Sequence, residues 1–400
     1  MPTLRHRVHL YAPVRGGWRT ALSAEGKHAL LCSHRRDVPV RLFPVRASGH
    51  SSLHLSTGIT DVAIMKILTP INSLQEVEML AENGAEEFYC GLVPEEWLRR
   101  YGGALWLNRR SPKGGNVPTF AELNALIAAA HRYGIPVFLT LNAPTYAPEQ
   151  MPLVIDLARR LVEEAEADAL IIADPGLLMA LVESGLDAPL HVSSLAATLN
   201  GRAIDFFRQW GVKRIILPRS VTLDEMRRLA ETARGTVELE AFILNEGCAF
   251  EEGYCPTSKH HSVGAYCTGL VAMEANFLTA RGEEVPPDKR DEVGALLQDY
   301  HRWLFFVNNA GCSLSPEGLP YGPCGLCAIP QMHRMGIASL KIVGREASSW
   351  RKLASLRLVK AIVDRVRQGI PADEVRAYAQ SLRTPREYCR SGFMCYYRWW

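Results

Sequence analysis

Short apolar runs alternate with helical patterns eight times between Met65 and Gln368. In chain order, the predicted strands are MKILTP, EEFYCG, PVFLTLN, ALIIAD, LHVS, RIILP, VELEAF and SLKIVG. Strands that alternate with helices pair in parallel, because each helix carries the chain back to the starting edge of the sheet. Eight such units predict a closed (β/α)8 barrel of the TIM type. An open doubly wound sheet is the alternative, but no GxGxxG motif follows the first strand.

The helices between these strands are predicted from apolar residues at helical spacing. The first is expected to begin at a capping box formed by Ser73 and Glu76 and to end at Gly84. The later ones are predicted near 119–133, 151–166, 175–184, 202–210, 223–232 and 349–368. A long Cys-rich stretch, residues 243–338, remains between strands 7 and 8. We expect it to form an insertion that covers the barrel mouth.

Residues 1–64 differ from the rest of the chain in charge and pattern. They carry 9 Lys/Arg and 3 Asp/Glu, a balance of +6, whereas residues 65–400 carry 36 and 39, a balance of −3. They show no sustained helical or alternating apolar period. We expect a poorly ordered N-terminal extension, with an Arg-rich transit-type leader as the alternative. The barrel domain is then expected to span 65–400, including the insertion and a C-terminal helix with an aromatic tail.

The composition also bears on the class of protein. No run of about 18 apolar residues occurs, so no membrane span is predicted. Nothing resembles a secretory signal, and we expect a cytoplasmic protein. The charge of the body is not that of a basic nucleic-acid platform, which favours a small-molecule substrate without excluding nucleic acid.

Six of the ten cysteines lie between Cys248 and Cys327. Exposed free thiols are reactive and structural disulfides are reduced in the cytosol, so this clustering favours metal or iron–sulfur ligation over simple core packing. Of these six, only Cys324 and Cys327 form the close pair that is typical of structural zinc sites. The spacing therefore favours an iron–sulfur cluster. Zinc is the alternative, with His260 and His261 as further ligands.

Polar residues at the ends of the predicted strands are candidates for the active site, which in such barrels lies at the C-terminal face. They are Asn142, Asp174, Arg219, Lys341 and Arg345. The cationic members suit a substrate with carboxylates, since guanidinium groups match carboxylate geometry. The structural alternatives are that Lys341 and Arg345 pair with barrel carboxylates such as Glu240, and that Asp174 caps the next helix.

The stretch around the first clustered cysteine resembles the signature of peptidase family U32. The matching positions are Glu240, Phe242, Cys248, Gly253, Cys255 and Ser258. The opening KILTPINSLQEVEMLAENGAEEFYCG is similar to the first βα unit of the family, and SLKIVGRE is similar to its last-strand motif. The likeness covers about residues 65–400. It departs from the family at Leu244 and Asn245, where a His–Gly step is usual, and at Val343, where an acidic residue is usual.

The resemblance implies an oxygen-independent hydroxylase that holds a 4Fe-4S cluster and takes its oxygen atom from prephenate. Carried over by position, Cys248 and Cys255 are the first two cluster ligands, Cys267 is the third and Cys327 is the fourth. Cys324 is the alternate fourth ligand.

We therefore expect Glu240, Asp174 and Lys341 as catalytic residues. Asn142, Arg219 and Arg345 are expected to bind substrate. The expected substrate is a small aromatic or quinone-like molecule or a nucleoside. The alternatives are a collagenase-like peptidase and a non-catalytic iron–sulfur subunit that pairs with a second U32 protein.

Overall fold

The computed structural model describes residues 8–11, 65–102, 106–110, 115–248, 253, 275–279, 281–310, 322–384, 386–392 and 395–397. The chain divides into two compact units, residues 1–61 with 275–290, and residues 62–274 with 291–400. In the first unit, β1 (Val8–Tyr11) pairs in parallel with β9 (Ala275–Leu278). Most of residues 1–64 lie outside the described residues, so the predicted boundary at residue 64 stays a prediction.

The second unit contains a closed barrel of eight strands. They are β2 (Lys66–Pro70), β3 (Glu87–Cys90), β4 (Val137–Leu141), β5 (Ala169–Ile172), β6 (Leu190–Val192), β7 (Arg214–Ile216), β8 (Glu238–Leu244) and β10 (Ser339–Ile342). All neighbouring pairs are parallel, and β10 closes the ring between β8 and β2. The (β/α)8 barrel predicted from the alternation is confirmed.

Helices follow the strands as the sequence pattern predicts. In the described residues they are α1 (Gln75–Glu82), α2 (Glu95–Tyr101), α3 (Phe120–Arg132), α4 (Met151–Glu163), α5 (Pro175–Glu183), α6 (Gly201–Gln209), α7 (Leu223–Ala233), α8 (Pro287–Ala310), α9 (Ile329–Met335), α10 (Ser349–Arg367), α11 (Ala372–Ser381) and α12 (Arg386–Arg390). Side-chain caps set several starts; for example, Thr222 and Glu225 form a capping box at α7. No described helix combines the length and apolar character that crossing a membrane requires.

The capping box predicted at Ser73 is wrong. α1 begins at Gln75 without a side-chain cap. The Glu76 carboxylate instead accepts the Asn72 backbone N–H at 3.0 Å and pairs with the Lys352 ammonium on α10 at 2.8 Å. Glu76 is 2% exposed and Lys352 is 1% exposed. A buried cation thus takes the carboxylate that the capping box would need.

The alternation of side chains along each strand separates two apolar layers. Phe88 and Cys90 on β3 face outwards and pack in the layer between strands and helices. Tyr89 faces inwards with Phe138 and Phe242 in a second cluster inside the barrel. Cys90 is therefore a packing residue, and the inward-facing positions are the ones that reach the barrel interior and mouth.

The connection from β8 to β10 spans residues 245–338 and is described only in part. Its last segment returns along the end of β8, where Leu244 pairs with Cys324 in antiparallel fashion. The Asn245 N–H donates to the Pro323 carbonyl and the Gly325 N–H donates to the Ile243 carbonyl, both at 2.8 Å. That this connection covers the barrel mouth stays a prediction.

Candidate functional site

A charged network lies inside the barrel, below its mouth. The Arg214 guanidinium on β7 donates two hydrogen bonds of 2.8 Å to Glu87 on β3 and approaches Glu240 at 3.4 Å. The Lys341 ammonium pairs with Glu240 at 2.8 Å. Glu240 is fully buried and precedes Phe242 by two residues, so the pair is deeper than the strand ends. The structure brings Glu240 and Lys341 together as an internal ion pair, as the structural alternative predicts.

The surroundings shift the pKa values of the two cations in this network, Arg214 and Lys341, in opposite directions. Burial opposes the charge of Arg214, but Glu87 and the neighbouring glutamates outweigh it and raise the pKa of Arg214 above its ordinary value. Burial lowers the pKa of Lys341, and the attraction of Glu240 offsets only part of this effect. The Lys341 ammonium also lies 4.2 Å from the centre of the Tyr89 ring. The network is therefore well paired around Arg214 and less well compensated at Lys341.

Arg345 lies above this network in the connection after β10. Its guanidinium donates to Thr140 Oγ1 at 2.9 Å and to Asn108 Oδ1 at 3.1 Å, and it is 3% exposed. Burial, and next the positive charge of Arg110, lower the pKa of Arg345 to about 10. The structural alternative, in which Arg345 pairs with a barrel carboxylate such as Glu240, is wrong, because its hydrogen bonds go to a hydroxyl and an amide.

Glu246 is a half-buried acid beside these arginines. It forms an ion pair with Arg110. Burial opposes its ionisation, but Arg110, Arg219 and Arg351 outweigh burial and hold the pKa of Glu246 below its ordinary value. Asn245 and Glu246 have φ angles of 71° and 46°. Asparagine tolerates this left-handed region better than most residues, which accounts for its presence where the U32 family usually has glycine.

Aromatic rings form one wall of this region. The Arg219 guanidinium lies 3.8 Å from the centre of the Phe242 ring. Tyr396 lies beside Phe242 with ring centres 6.4 Å apart, and its hydroxyl donates to the Glu246 carbonyl at 3.1 Å. The Tyr397 hydroxyl donates to the Phe242 carbonyl at 2.6 Å. These two tyrosines of the C-terminal aromatic tail therefore fold back against the end of β8.

Two other predicted site residues hold loops in place. The Asp174 carboxylate accepts the backbone N–H groups of Gly176 and Tyr146, each at 2.8 Å, and caps α5 as the structural alternative predicts. Asn142 accepts the Arg109 N–H at 3.3 Å and donates to Ser193 Oγ at 3.3 Å. A catalytic role for Asp174 and a substrate-binding role for Asn142 stay predictions.

The predicted cluster ligands are described only in part. Cys248 is exposed and follows β8, whereas Cys324 and Cys327 are partly buried. Cys255 and Cys267 lie outside the described residues. Among the side chains that the structure does describe, no three His, Cys, Asp or Glu groups are arranged to hold a metal ion. The expected ligand set therefore stays a prediction.

Three residues of this region were not predicted from the sequence. Arg110 and Asn108 belong to the connection between α2 and α3, whose described residues form no helix or strand, so no periodic pattern places them. Glu246 offered a signal, because it lies two residues after the end of β8 and two before Cys248. A charged residue at that position of a barrel strand belongs to the working face.

The model of peptidase family U32 matches residues 72–398. This chain belongs to peptidase family U32. A U32 relative, tRNA hydroxylation protein P of Escherichia coli, is 24% identical over 340 residues, which cover 77% of this chain and 70% of that protein. The uncharacterized protease MJ0090 of Methanocaldococcus jannaschii is 25% identical over 330 residues, 80% of this chain and 70% of that protein.

A ribosomal-RNA enzyme and a solved structure also match the chain. The 5-hydroxycytidine synthase of 23S rRNA from Escherichia coli is 31% identical over 140 residues, which cover 34% of this chain and 19% of that protein. Among solved structures, the U32 peptidase Mk0906 matches with a TM-score of 0.38 at 15% identity, over 59% of this chain and 98% of that one.

Proposed function

We propose that this U32 protein is an oxygen-independent hydroxylase that acts on a nucleoside of RNA. Two of its relatives are named for hydroxylation of tRNA and for synthesis of a hydroxylated cytidine in rRNA. Within the range of substrates expected from the sequence, these names favour the nucleoside over a free quinone-like molecule. A second U32 subunit as partner stays a prediction.

The observation that carries this proposal is the cationic and aromatic mouth of the barrel. The charges of Arg110, Arg219 and Arg351 all act on Glu246, and the charge of Arg110 also acts on Arg345. One half-buried carboxylate thus pairs with one guanidinium group and lies within reach of the charges of two more. Such an excess of positive charge beside aromatic rings suits a ligand that combines anionic groups with a planar ring.

Arg345 and Arg219 are the residues that would bind the carboxylates of a prephenate-type donor. Thr140 and Asn108 fix the Arg345 guanidinium before any ligand arrives, so less orientational freedom is lost on binding. Phe242 and Tyr396 would offer ring faces to the base. In the overall reaction, a C–OH group of the donor would become C–H and one C–H bond of the base would become C–OH, so the donor would gain the two electrons that the base loses.

The family resemblance also implies a 4Fe-4S cluster, and thiolates are the donors that such a cluster needs. Cys248 leaves β8 at the strand end where Cys324 returns beside Leu244. Cys248, Cys255, Cys267 and Cys327 would hold the cluster, which would supply electron transfer when bound. The chain's own part is to place the donor and base beside it and to keep water out.

The proposal is tested by nucleoside mass spectrometry. Anaerobically purified protein is first analysed for iron and sulfide and is then incubated with unmodified tRNA or rRNA and prephenate. The expected result is one nucleoside that gains one oxygen atom. Arg345→Lys should lower the rate at least about tenfold, because one geometrically matched charged hydrogen bond contributes about 1.5–3 kcal/mol. Arg357→Lys is the matched control, since Arg357 is exposed on α10.

Iron-loaded protein that leaves every tRNA and rRNA nucleoside unchanged would refute the proposal. Cleavage of gelatin by the same preparation would support the peptidase alternative instead.

A further inference from the structure

An exposed tryptophan lies on the first turn of α10, at the working face of the barrel. Trp350 is 73% exposed, the largest value for a large apolar side chain in the described residues. α10 begins where the chain leaves the end of β10, so its N-terminus is on the same face as the mouth arginines, and Trp350 follows Arg345 by five residues. A single exposed ring does not define a site, and its surroundings decide what it can bind.

The turn that carries Trp350 is held on both sides. The Ser349 hydroxyl donates to Glu76 at 2.9 Å, and the Lys352 ammonium pairs with the same carboxylate at 2.8 Å. The Ser348 hydroxyl caps the helix by accepting the N–H of the third helical residue at 3.4 Å. The backbone at Trp350 is therefore fixed before any ligand binds, so little protein freedom is lost when a flat group stacks on the ring.

The N-terminus of α10 can also accept an anion. No hydrogen bond from the Ser349 or Trp350 N–H is present in the described part of the chain, because the N–H groups of a first turn have no partner within their own helix. Such groups and the helix dipole together attract negative charge. The acid of the preceding loop, Glu346, lies 4.0 Å from the Arg110 guanidinium, which offsets its charge.

Arg351 adds an incompletely paired cation to this turn. It is 4% exposed, and among the described side chains its Nε and Nη2 atoms find no hydrogen-bond partner. Nη2 lies beside the loop that leads into α10, 3.9 Å from the place where a Cβ on Gly344 would be. The charge of Arg351 acts on Glu246, but that carboxylate is already paired with Arg110. A buried guanidinium that lacks partners is costly, and an anion at the helix N-terminus would reduce this cost.

We propose that the first turn of α10 binds a nucleotide of the RNA strand beside the target nucleoside. The Trp350 ring stacks on the base of this nucleotide, and the free N–H groups of the turn, together with the charge of Arg351, bind its phosphate. A ring alone would suit many apolar partners, whereas a ring beside unbalanced positive charge favours a ligand that has both a base and a phosphate. That the strand is a substrate rests on the proposed function.

Binding is measured by fluorescence anisotropy, with full-length protein purified anaerobically and a labelled single-stranded RNA of mixed sequence. Trp350→Ala should weaken binding at least about fivefold, the lower end of what one base stacked on an aromatic ring contributes. Trp350→Phe should recover most of the affinity, because it keeps a ring. Phe206→Ala is the matched control, since Phe206 is an exposed ring on α6, and it should bind RNA as wild type does.

The phosphate contact is read from the salt dependence of the same binding. Each phosphate that is neutralised on a single strand contributes about 0.7 to the slope of log affinity against log salt concentration. Arg351→Met should lower the slope by about this amount, whereas Trp350→Ala should leave it unchanged, because stacking releases no counterions. Equal slopes for wild type and Arg351→Met, at equal folded content by circular dichroism, would overturn the proposal.

Unchanged RNA affinity in Trp350→Ala would also overturn it, even in a protein that hydroxylates RNA. If size-exclusion chromatography showed a dimer that Trp350→Ala dissociates without loss of RNA affinity, the surface would bind a second protein instead. Weaker RNA binding in Trp350→Ala, with the salt slope kept, would support the site even if no nucleoside gains oxygen, because affinity is measured without the reaction.

Discussion

The same substitution should affect two buried arginines of the barrel differently, one mainly in stability and the other mainly in activity. Burial, and next the charge of Arg110, lower the pKa of Arg345 to about 10, so the folded protein holds this charge at a cost of about 3 kcal/mol at neutral pH. Arg345→Met removes this cost. It also removes hydrogen bonds to Thr140 and Asn108, each of which contributes about 1.5–3 kcal/mol. The two lost hydrogen bonds total about 3–6 kcal/mol, so after the removed cost is subtracted the unfolding free energy should fall by about 0–3 kcal/mol.

Arg214→Met should behave differently, because Arg214 stabilises carboxylates that are themselves buried. Glu87 is 1% exposed and Glu240 is 0% exposed. The substitution leaves their charges without their shared cation, and breaking a buried pair in this way costs about 3–5 kcal/mol. Arg214 should therefore be needed for stability, whereas Arg345 should be needed for activity.

Both variants are compared by urea unfolding, followed by far-UV circular dichroism at pH 7, and by RNA hydroxylation per folded molecule. Arg345→Met should lose at least about tenfold in rate. A loss of more than about 4 kcal/mol in Arg345→Met, with full activity in its folded fraction, would show that this arginine is structural and that the reasoning is wrong.

Further predictions concern the same barrel. Gly91→Ala places a methyl group against the guanidinium of Arg345. It should lower the free energy of urea unfolding by about 1–3 kcal/mol and slow hydroxylation. The control is Gly294→Ala on α8, where the space is open, and this variant should stabilise the protein by about 0.5–1 kcal/mol. Burial, and then nearby cations, hold the pKa of His191 well below 6.5. Just below pH 6.5, the unfolded chain therefore binds a proton at this residue and the folded chain does not. Stability should fall by about 2 kcal/mol from pH 6.5 to pH 5 on this account, and a His191→Gln variant with the same pH slope would contradict the assignment. Lys352→Met should lower the free energy of urea unfolding by about 3–5 kcal/mol, because it leaves the buried Glu76 carboxylate without its cation. Adding Glu76→Gln should recover part of this loss. No recovery in the double variant would count against the ion pair.

The barrel was predictable because its determinants are local and repeated. All eight strands were found within a few residues of their bounds, since each is a short apolar run between a helix end and a turn. The start of α1 was missed, because the Glu76 carboxylate binds Lys352, 276 residues further along the chain. A capping motif shows only that neighbouring residues could cap a helix. Here the ion pair with a distant buried lysine determines where the Glu76 side chain lies.

The site was less predictable than the fold. Strand-end position identified Arg219 and Arg345, but it did not distinguish the buried pair of Glu240 and Lys341 from residues at the mouth. The difference is one of depth, which depends on barrel register rather than on residue type. Arg110 lies in a connection without periodicity, and its partnership with Glu246 spans 136 residues. No pattern in the sequence encodes such a contact.

The ion pair between Arg214 and Glu87 also bears on how the protein is made. The two residues are 127 positions apart, so a nascent chain that has left the ribosome only as far as β6 carries the Glu87 carboxylate on an unclosed sheet without its arginine. Ser339, which also donates to Glu87 at 2.7 Å, arrives later still. We therefore expect the barrel to close late in translation, after these partners have been made. A half-barrel that ends before β7 lacks Arg214, the cation that pairs with Glu87 on its inner face.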